Sequence, residues 1–260
     1  MFASQNNGEI VLEDGERLDI VNDGVRLIQK KSGLTFGTDA LLLAGYVTGN
    51  ESKRMAELGG GTGIISLLLA SRKKAGMIWV FEIQEAFSRL IARNAALNGL
   101  EDRIGVVCDD IRNADVNITQ GELDAVFSNP PYMRKDSGRK NECDEKTVAR
   151  HEVFGGIEDF CRAGARLLKY GGDFFVVYPP ERMAELFDGM RKSGIEPKRL
   201  TAVYPDEMHR PCLILVSGKK GGRPGMVVSP PFFIKRNGDS SAEYEYVMQN
   251  GEFDELYKKV

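Results

Sequence analysis

The stretch Glu57-Leu58-Gly59-Gly60-Gly61-Thr62-Gly63 decides the fold class of this chain. It follows Met55 to Leu58, a short apolar run typical of a buried strand, and precedes Ile64 to Arg72, whose apolar residues on nearly every face predict a buried helix. Glycines between a strand and a helix let the backbone turn sharply and approach a ligand, and the helix start offers free N–H groups. A dinucleotide-binding fingerprint would need glycine where Ile64 stands, so the spacing departs from that pattern.

The same alternation of strand, turn and helix continues along the chain. Helices are predicted at Glu85 to Asn98, Ile157 to Leu168 and Glu181 to Ser193. Further strands are predicted at Met77 to Ile83, Ile104 to Cys108, Asp124 to Ser128, Phe174 to Tyr178, Leu200 to Tyr204 and Cys212 to Val216. This order predicts a doubly wound α/β fold with a mostly parallel, seven-stranded sheet. Ligands bind such sheets at the carboxyl ends of the strands, so the residues after each strand are the candidates for a site.

The N-terminal part of the chain has a different pattern. Asn22-Asp23-Gly24 lies between two β-like runs and predicts a hairpin, because glycine accepts the positive φ of a tight turn. Thr38 to Val47 predicts a short helix with Thr38 or Asp39 as its N-cap. We therefore expect residues 1–50 to form an N-terminal extension and residues 51–260 to form the main domain.

Composition excludes several classes of protein. Charged residues make up 28% and hydrophobic residues 42% of 260 residues, which is ordinary for a globular chain. The formal net charge of -3 excludes a polybasic protein that coats nucleic acid but allows a local basic patch. Two histidines and four scattered cysteines predict neither a bound metal nor a disulfide framework, and Cys108, Cys161 and Cys212 are expected in the core. Without a membrane-length apolar run or a signal-peptide pattern, the chain is predicted to be cytoplasmic and to have no membrane contact.

Polar residues follow the predicted strands. Glu82 follows the second strand at the distance where a carboxylate typically accepts both hydroxyls of a ribose. Asp109-Asp110, after the third strand, could accept a hydrogen bond from the exocyclic amine of an adenine ring, and helix capping explains one of the two equally well. The fourth strand leads into Ser128-Asn129-Pro130-Pro131-Tyr132. The prolines remove N–H donors and leave carbonyl acceptors, Asn129 adds an acceptor, and Tyr132 adds a flat ring, so this stretch can hold a planar group that bears an –NH2.

The order of these motifs resembles the class I S-adenosylmethionine-dependent methyltransferases that act on amino groups. More narrowly, the chain resembles the bacterial tRNA(Val) adenine-N6 methyltransferase family over about residues 15 to 250. The narrower resemblance comes from the hairpin that leads into Phe36-Gly37-Thr38-Asp39-Ala40-Leu41-Leu42, from the segment Asp136 to Glu152 with its Ala149-Arg150-His151-Glu152 end, and from the absence of a large extra domain.

This resemblance implies S-adenosylmethionine as the cofactor and the N6 amine of an adenine in RNA, in a tRNA anticodon loop, as the methyl acceptor. It implies that the cofactor is bound by Gly37, Thr38, Glu57, Gly59, Gly61, Gly63, Glu82 and Asp110. The implied catalytic residues are Asn129, Pro130, Pro131 and Tyr132. His151 is expected to be structural or to contact the substrate.

A basic run directly after Tyr132 points to a nucleic-acid substrate. We expect it to contact RNA phosphates, and it comprises Arg134, Lys135, Arg139 and Lys140. Tyr204 and His209 are candidates for a second residue that stacks on the target base.

Other activities use a similar clamp for a planar amine. Enzymes that methylate a glutamine of release factors carry a helical N-terminal domain, whereas the predicted leader here is short. Guanine-N2 methyltransferases of ribosomal RNA often have Phe in place of Tyr, with a duplicated domain, and DNA adenine methyltransferases need a target-recognition domain for which 260 residues leave little room. A module that binds cofactor or RNA without turnover is a further alternative, which the intact Asn129 to Tyr132 stretch disfavours.

Overall fold

The computed structural model describes residues 12–31, 36–131 and 155–258. The first two ranges contain β1 (Glu16–Ile20), β2 (Arg26–Lys30), α1 (Thr38–Tyr46), β3 (Arg54–Leu58), α2 (Ile64–Ser71), β4 (Met77–Phe81), α3 (Glu85–Leu97), β5 (Ile104–Val107) and β6 (Leu123–Ser128). The last range contains α4 (Ile157–Leu167), β7 (Leu168–Tyr178), α5 (Met183–Lys192), β8 (Ile195–Tyr204), β9 (Leu213–Lys220), β10 (Val227–Val228), β11 (Phe232–Phe233), β12 (Lys235–Arg236), β13 (Asp239–Ser240), α6 (Ala242–Asn250) and α7 (Glu255–Lys258).

The predicted doubly wound α/β fold is confirmed. Strands β3 to β9 form the body of one sheet in the order β8-β9-β7-β6-β3-β4-β5. Within this body, β9 runs antiparallel to both of its neighbours and the other pairings are parallel. The described sheet is wider than predicted, because the two-residue strands β10 and β11 pair with the outer edge of β8.

Helices cover both faces of the sheet. Alternate residues of β4 show the two faces, since Ile78 and Val80 enter one core cluster while Trp79 and Phe81 enter the other. The first cluster includes α1, α2 and α3, and the second includes α4 and α5. Helix α2 is buried from Ile64 to Ala70, which explains why its sequence is apolar on nearly every face.

The predicted N-terminal hairpin is also confirmed. Strands β1 and β2 pair antiparallel around Asp23 and Gly24, whose φ angles of 64° and 72° are those of a primed turn. The hairpin packs on α3 through Asn94, whose side chain accepts from the Ile28 N–H at 2.7 Å and donates to the Ile28 carbonyl at 3.0 Å. Leu27 of the hairpin is buried in the same core cluster as α1 and α2. The division of the chain at residue 50 stays a prediction.

Several details differ from the predictions, among them β8 and β9, which are longer than predicted. The N-cap of α1 is Gly37, which is extended, while Thr38 and Asp39 already belong to the helix. Strand β7 begins at Leu168, directly after α4, and not at Phe174 as predicted. Leu168 already pairs with Leu123 of β6, and the register shifts between Leu123 and Ala125. Of the cysteines expected in the core, only Cys161 is buried, while the other two are exposed just outside the strand ends, at Cys108 and Cys212.

None of the helices in the described ranges combines the length and the apolar character that a membrane span needs.

Candidate active site

The predicted site residues meet at one edge of the sheet. In the parallel register, Leu58 at the end of β3 lies between Phe81 of β4 and Ser128 of β6. Gly59, Glu82 and Asn129 therefore follow three neighbouring strand ends, and neighbouring strands are separated by about 4.8 Å. The strand order reverses between β3 and β6, which makes this edge the topological switch point where α/β sheets bind ligands.

The glycine loop lies tightly on the sheet. The N–H groups of Gly59 and Gly60 donate to the Phe81 carbonyl at 2.9 and 3.2 Å. A Cβ on Gly60 would lie 2.2 Å from Val80 Cγ1, so a larger residue does not fit beneath the loop. The loop also has positive φ angles of 78°, 54° and 81° at Gly59, Gly61 and Gly63. The backbone is therefore held in a path that only glycine adopts readily, with its outer side facing the switch point.

Glu82 is a buried carboxylate that organises this loop. Glu82 is only 4% exposed. One carboxylate oxygen accepts from the Gly61 N–H at 2.9 Å, and the other accepts from the Gln84 N–H at 2.9 Å. A carboxylate has about four lone-pair sites, so these two bonds leave room for two more donors. A role of these sites in accepting the two hydroxyls of a ribose stays a prediction.

Glu57 lies beneath the loop, inside the protein. It is 1% exposed, and one of its carboxylate oxygens accepts from the Ser66 N–H at 3.2 Å and from the Ser66 hydroxyl. Burial raises the pKa of Glu57 to about 8, while the Ser66 hydrogen bonds oppose this rise and the nearby Glu82 carboxylate adds to it. In the structure, the carboxylate therefore ties β3 to the first turn of α2, and a direct role in binding the cofactor stays a prediction.

The raised pKa of Glu57 predicts a dependence of stability on pH. Between the unfolded value of 4.5 and the folded value of about 8, the native state holds a proton that the unfolded chain has lost, so unfolding free energy falls as pH rises. Glu57→Gln removes this titration. Urea unfolding without ligand measures the free energy of unfolding of both proteins from pH 5.5 to 7.5. The value for Glu57→Gln minus that for the wild type should rise by up to about 1.4 kcal/mol per pH unit.

Gln84→Ala is the control for that measurement, because it changes no titratable group. The difference between the unfolding free energies of Gln84→Ala and the wild type should be independent of pH. A Glu57→Gln difference that is equally flat would show that the Glu57 carboxylate does not hold a proton in the folded protein.

Asp110 has its own protein partners. Its side chain caps the short 3-10 helix Ile111–Asn113 by accepting from the Arg112 N–H at 2.8 Å, and it forms an ion pair with the Arg112 guanidinium. The hydrogen bond to that guanidinium lowers the pKa of Asp110. These contacts correspond to the capping alternative, and a contact with an adenine amine stays a prediction.

The end of β6 is anchored to β3. Ser128 is buried, and its hydroxyl donates to the Leu58 carbonyl at 2.7 Å. Asn129 follows and is half-buried, Pro130 is buried, and Pro131 is exposed. The first three residues of the predicted catalytic stretch are thus placed at the switch point. The predicted residues Tyr132, Arg134, Lys135, Arg139 and Lys140, and also His151, lie outside the described residues.

The start of α1 reaches the same place. The Asn129 side-chain amide donates from Nδ2 to Asp39 Oδ2 at 3.1 Å, which brings the segment of Gly37 and Thr38 beside the end of β6. The sequence marks Asp39 as a possible helix cap and as part of the stretch from Phe36 to Leu42, but it does not predict the contact with Asn129, because the two partners are 90 residues apart in the chain.

Tyr204, a candidate for a second stacking residue, is the last residue of β8. Its ring centroid lies 5.2 Å from that of Phe233, and the Arg236 guanidinium lies over the Phe233 ring at 4.3 Å. His209 is exposed, with Nδ1 at 2.7 Å from Asp206 Oδ1. Stacking of either residue on a base stays a prediction.

The chain is similar to curated proteins named tRNA1(Val) (adenine(37)-N6)-methyltransferase. The protein of that name from Bacteroides fragilis is 29% identical over 187 residues, which cover 72% of this chain and 78% of the relative. The protein from Trichodesmium erythraeum is 29% identical over 179 residues, covering 68% of this chain and 74% of the relative.

Solved structures resemble the fold. A predicted O-methyltransferase from Agrobacterium tumefaciens superimposes with a TM-score of 0.67 at 22% identity, covering 83% of this chain and 97% of that one. M. jannaschii TYW2, solved in complex with AdoMet, gives a TM-score of 0.54 at 14% identity, covering 80% and 87% of the two chains. The family model "Methyltransferase small domain" matches residues 31–191, which is more than half of the chain. With the switch-point loops described above, the chain belongs to the methyltransferase small domain family.

Proposed function

We propose that this protein transfers a methyl group from S-adenosylmethionine to the N6 amine of an adenine in RNA, and that its substrate is a tRNA anticodon loop. The observation that carries the proposal is the half-buried Asn129 amide at the switch point, beside the glycine loop. The names of the relatives in B. fragilis and T. erythraeum support tRNA and adenine as substrate and target.

The glycine loop and Glu82 fit the cofactor. The loop leaves no space for side chains at Gly60, and it presents backbone towards the switch point. The Glu82 carboxylate keeps acceptor capacity for two ribose hydroxyls after bonding two backbone N–H groups. Gly37 and Thr38 stand beside the end of β6, where they would close over the methionine end. When bound, S-adenosylmethionine supplies an electrophilic methyl group on a sulfonium.

Asn129 and Pro130 act on the target amine. The N6 lone pair of adenine is delocalised into the ring, which makes the amine a poor nucleophile. Hydrogen bonds from its two N–H groups to Asn129 Oδ1 and the Pro130 carbonyl favour a tetrahedral nitrogen with a localised lone pair. The N–CH3 bond would form as the S–CH3 bond breaks, and the methylated amine, which is then strongly acidic, would lose its extra proton to water. The fixed acceptors face the positive charge that develops on the nitrogen, so the rate comes from orientation and electrostatics and needs no strong base.

Tyr132 and the basic run that follows it complete the proposal. Stacking of Tyr132 on the target base would contribute about 1–3 kcal/mol. Arg134, Lys135, Arg139 and Lys140 would contact the phosphates around the target nucleotide. A local basic run of this kind is compatible with a net charge of -3, since only the substrate face needs to be positive.

A substrate panel tests the proposed function. The purified protein is incubated with methyl-labelled S-adenosylmethionine and, in parallel, with total tRNA, ribosomal RNA, duplex DNA or release factor. We expect label in tRNA only, recovered as N6-methyladenosine after digestion to nucleosides. Anticodon stem-loop transcripts with guanine in place of the adenine beside the anticodon should lose the label.

Each alternative substrate has its own signature in that panel. Label on a glutamine of release factor, on guanine of ribosomal RNA or on duplex DNA would replace the proposed substrate with the corresponding one. Tight cofactor binding without label in any arm would indicate a binding module without turnover.

A further inference from the structure

Asp39 contacts the side-chain amide of Asn129. Its Oδ2 lies 3.1 Å from Asn129 Nδ2, and its Oδ1 lies 2.9 Å from the Ala40 N–H. Both carboxylate oxygens of Asp39 therefore accept hydrogen bonds, one from the start of α1 and one from the stretch that holds the target amine.

The chemistry of these partners leaves one orientation for the amide. The Asn129 atom that faces Asp39 is Nδ2 of the –NH2 group, which donates to the carboxylate oxygen. The other end of the amide, Oδ1, then points away from Asp39 as an acceptor. In the opposite orientation, two oxygen acceptors would face each other and a donor would be offered to the incoming amine. Because a side-chain amide can otherwise present either end, a fixed partner is required for one polarity.

Gly37 makes space for this arrangement. A Cβ built on Gly37 would lie 2.7 Å from Asp39 Oδ1, which is closer than such atoms approach in proteins. The backbone of Gly37 has a φ of -118°, which other residues adopt readily. Glycine is therefore needed at this position because of the space that the Asp39 carboxylate occupies, and not because of the backbone conformation.

We propose that Asp39 is a positioning residue, which orients Asn129 so that Oδ1 accepts from the N–H of the methyl-accepting amine. This inference rests on the proposed function, in which Asn129 holds that amine. In this role Asp39 acts through Asn129.

The proposal predicts an unusual order of activities for two variants. Asp39→Asn keeps size and shape, but its amide oxygen remains with the Ala40 N–H, so its –NH2 faces Asn129 and forces that amide to invert. Asp39→Ala removes the partner and leaves Asn129 free to adopt either orientation. We expect kcat to fall about tenfold in Asp39→Ala and about a hundredfold in Asp39→Asn, with little change in the Kd of S-adenosylmethionine.

A reciprocal exchange sharpens the test. In the double variant Asp39→Asn with Asn129→Asp, the introduced amide donates to the introduced carboxylate, which still offers an acceptor to the target amine. We expect kcat to recover at least about tenfold over Asp39→Asn alone. If Asp39 only capped the helix or filled space, the order would be reversed. The kcat of Asp39→Asn would then be closer to that of the wild type than the kcat of Asp39→Ala, and the exchange would not restore it.

An NMR measurement is independent of turnover. In protein labelled with 15N-asparagine, Asn129→Ala identifies the side-chain –NH2 signal of Asn129. That signal should move and exchange faster with water in Asp39→Ala, because its carboxylate acceptor is gone, and an unchanged signal would overturn the proposal. An Asp39→Ala protein with a raised cofactor Kd and an unchanged kcat would also overturn it.

Gly37→Ala provides a second route if a variant at Asp39 unfolds. Its Cβ displaces the Asp39 carboxylate and should produce the same change in the Asn129 signal. Lack of methyl transfer to tRNA by the wild-type protein would contradict the proposed function. The order of the kcat values of the Asp39 variants and the NMR signal of Asn129 test the role of Asp39 itself.

Discussion

Asn129→Ala should lower kcat for methyl transfer by about 10²–10³-fold, the loss typical of removing one aligned group that stabilises a transition-state charge. Asp39 holds the Asn129 amide through Nδ2, on a strand end that Ser128 ties to β3, so the amide oxygen is positioned before the amine binds. The Kd of S-adenosylmethionine should change by less than about twofold, since the glycine loop and Glu82 are untouched. Single-turnover kinetics and calorimetric titration with the cofactor measure the two quantities separately.

Asn250→Ala is the matched control for that experiment. It removes the same chemical group from an exposed position in α6, where the amide donates to the Tyr246 carbonyl. It should leave both quantities unchanged. An Asn129→Ala enzyme with near wild-type kcat would refute the amine clamp, and a large loss of cofactor affinity would move Asn129 to the cofactor site.

Glu82→Gln should weaken S-adenosylmethionine binding by about a hundredfold. The two carboxylate oxygens accept from the Gly61 and Gln84 N–H groups, and the substitution turns one of them into a donor. One donor then faces another donor inside the protein, so either the glycine loop moves or the start of α3 loses its partner. Loss of a charged acceptor for the ribose adds to this, and hydrogen bonds to charged groups contribute about 1.5–3 kcal/mol each. Calorimetric titration with the cofactor measures the loss.

Glu85→Gln is the control for Glu82→Gln, because it makes the same change in the first turn of α3, at an exposed side chain paired with Arg89. Its affinity for the cofactor should equal that of the wild type. An unchanged affinity in Glu82→Gln would show that the ribose is bound elsewhere, and that Glu82 only supports the loop.

The positions of Glu82 and Asn129 can be predicted from the sequence. Glu82 follows an apolar run directly and Asn129 lies one residue beyond another, so the local pattern predicts that both stand at a strand end. The parallel order of β3, β4 and β6 then brings both to one edge of the sheet. The glycine loop is equally predictable, because positive φ angles at Gly59, Gly61 and Gly63 are properties of individual residues.

The environments of the acidic residues were less predictable. Glu57 and Asp110 are predicted to bind the cofactor, but their protein partners were not predicted: Glu57 accepts from Ser66 inside the protein, and Asp110 pairs with Arg112. A carboxylate before a glycine loop has the same sequence pattern whether it faces a ligand or the interior. The difference depends on the side of the strand it occupies and on the helix packed there, and only the folded chain determines both.

The α/β class, the hairpin, the glycine loop and the turn from Ser128 to Pro131 follow from the sequence, since periodicity, turn chemistry and proline geometry act over a few neighbouring residues. The contact of Asp39 with Asn129 and the burial that raises the pKa of Glu57 arise only in the folded chain. These features depend on contacts between segments far apart in the chain. Strand order and helix packing create such contacts, and no local pattern encodes them.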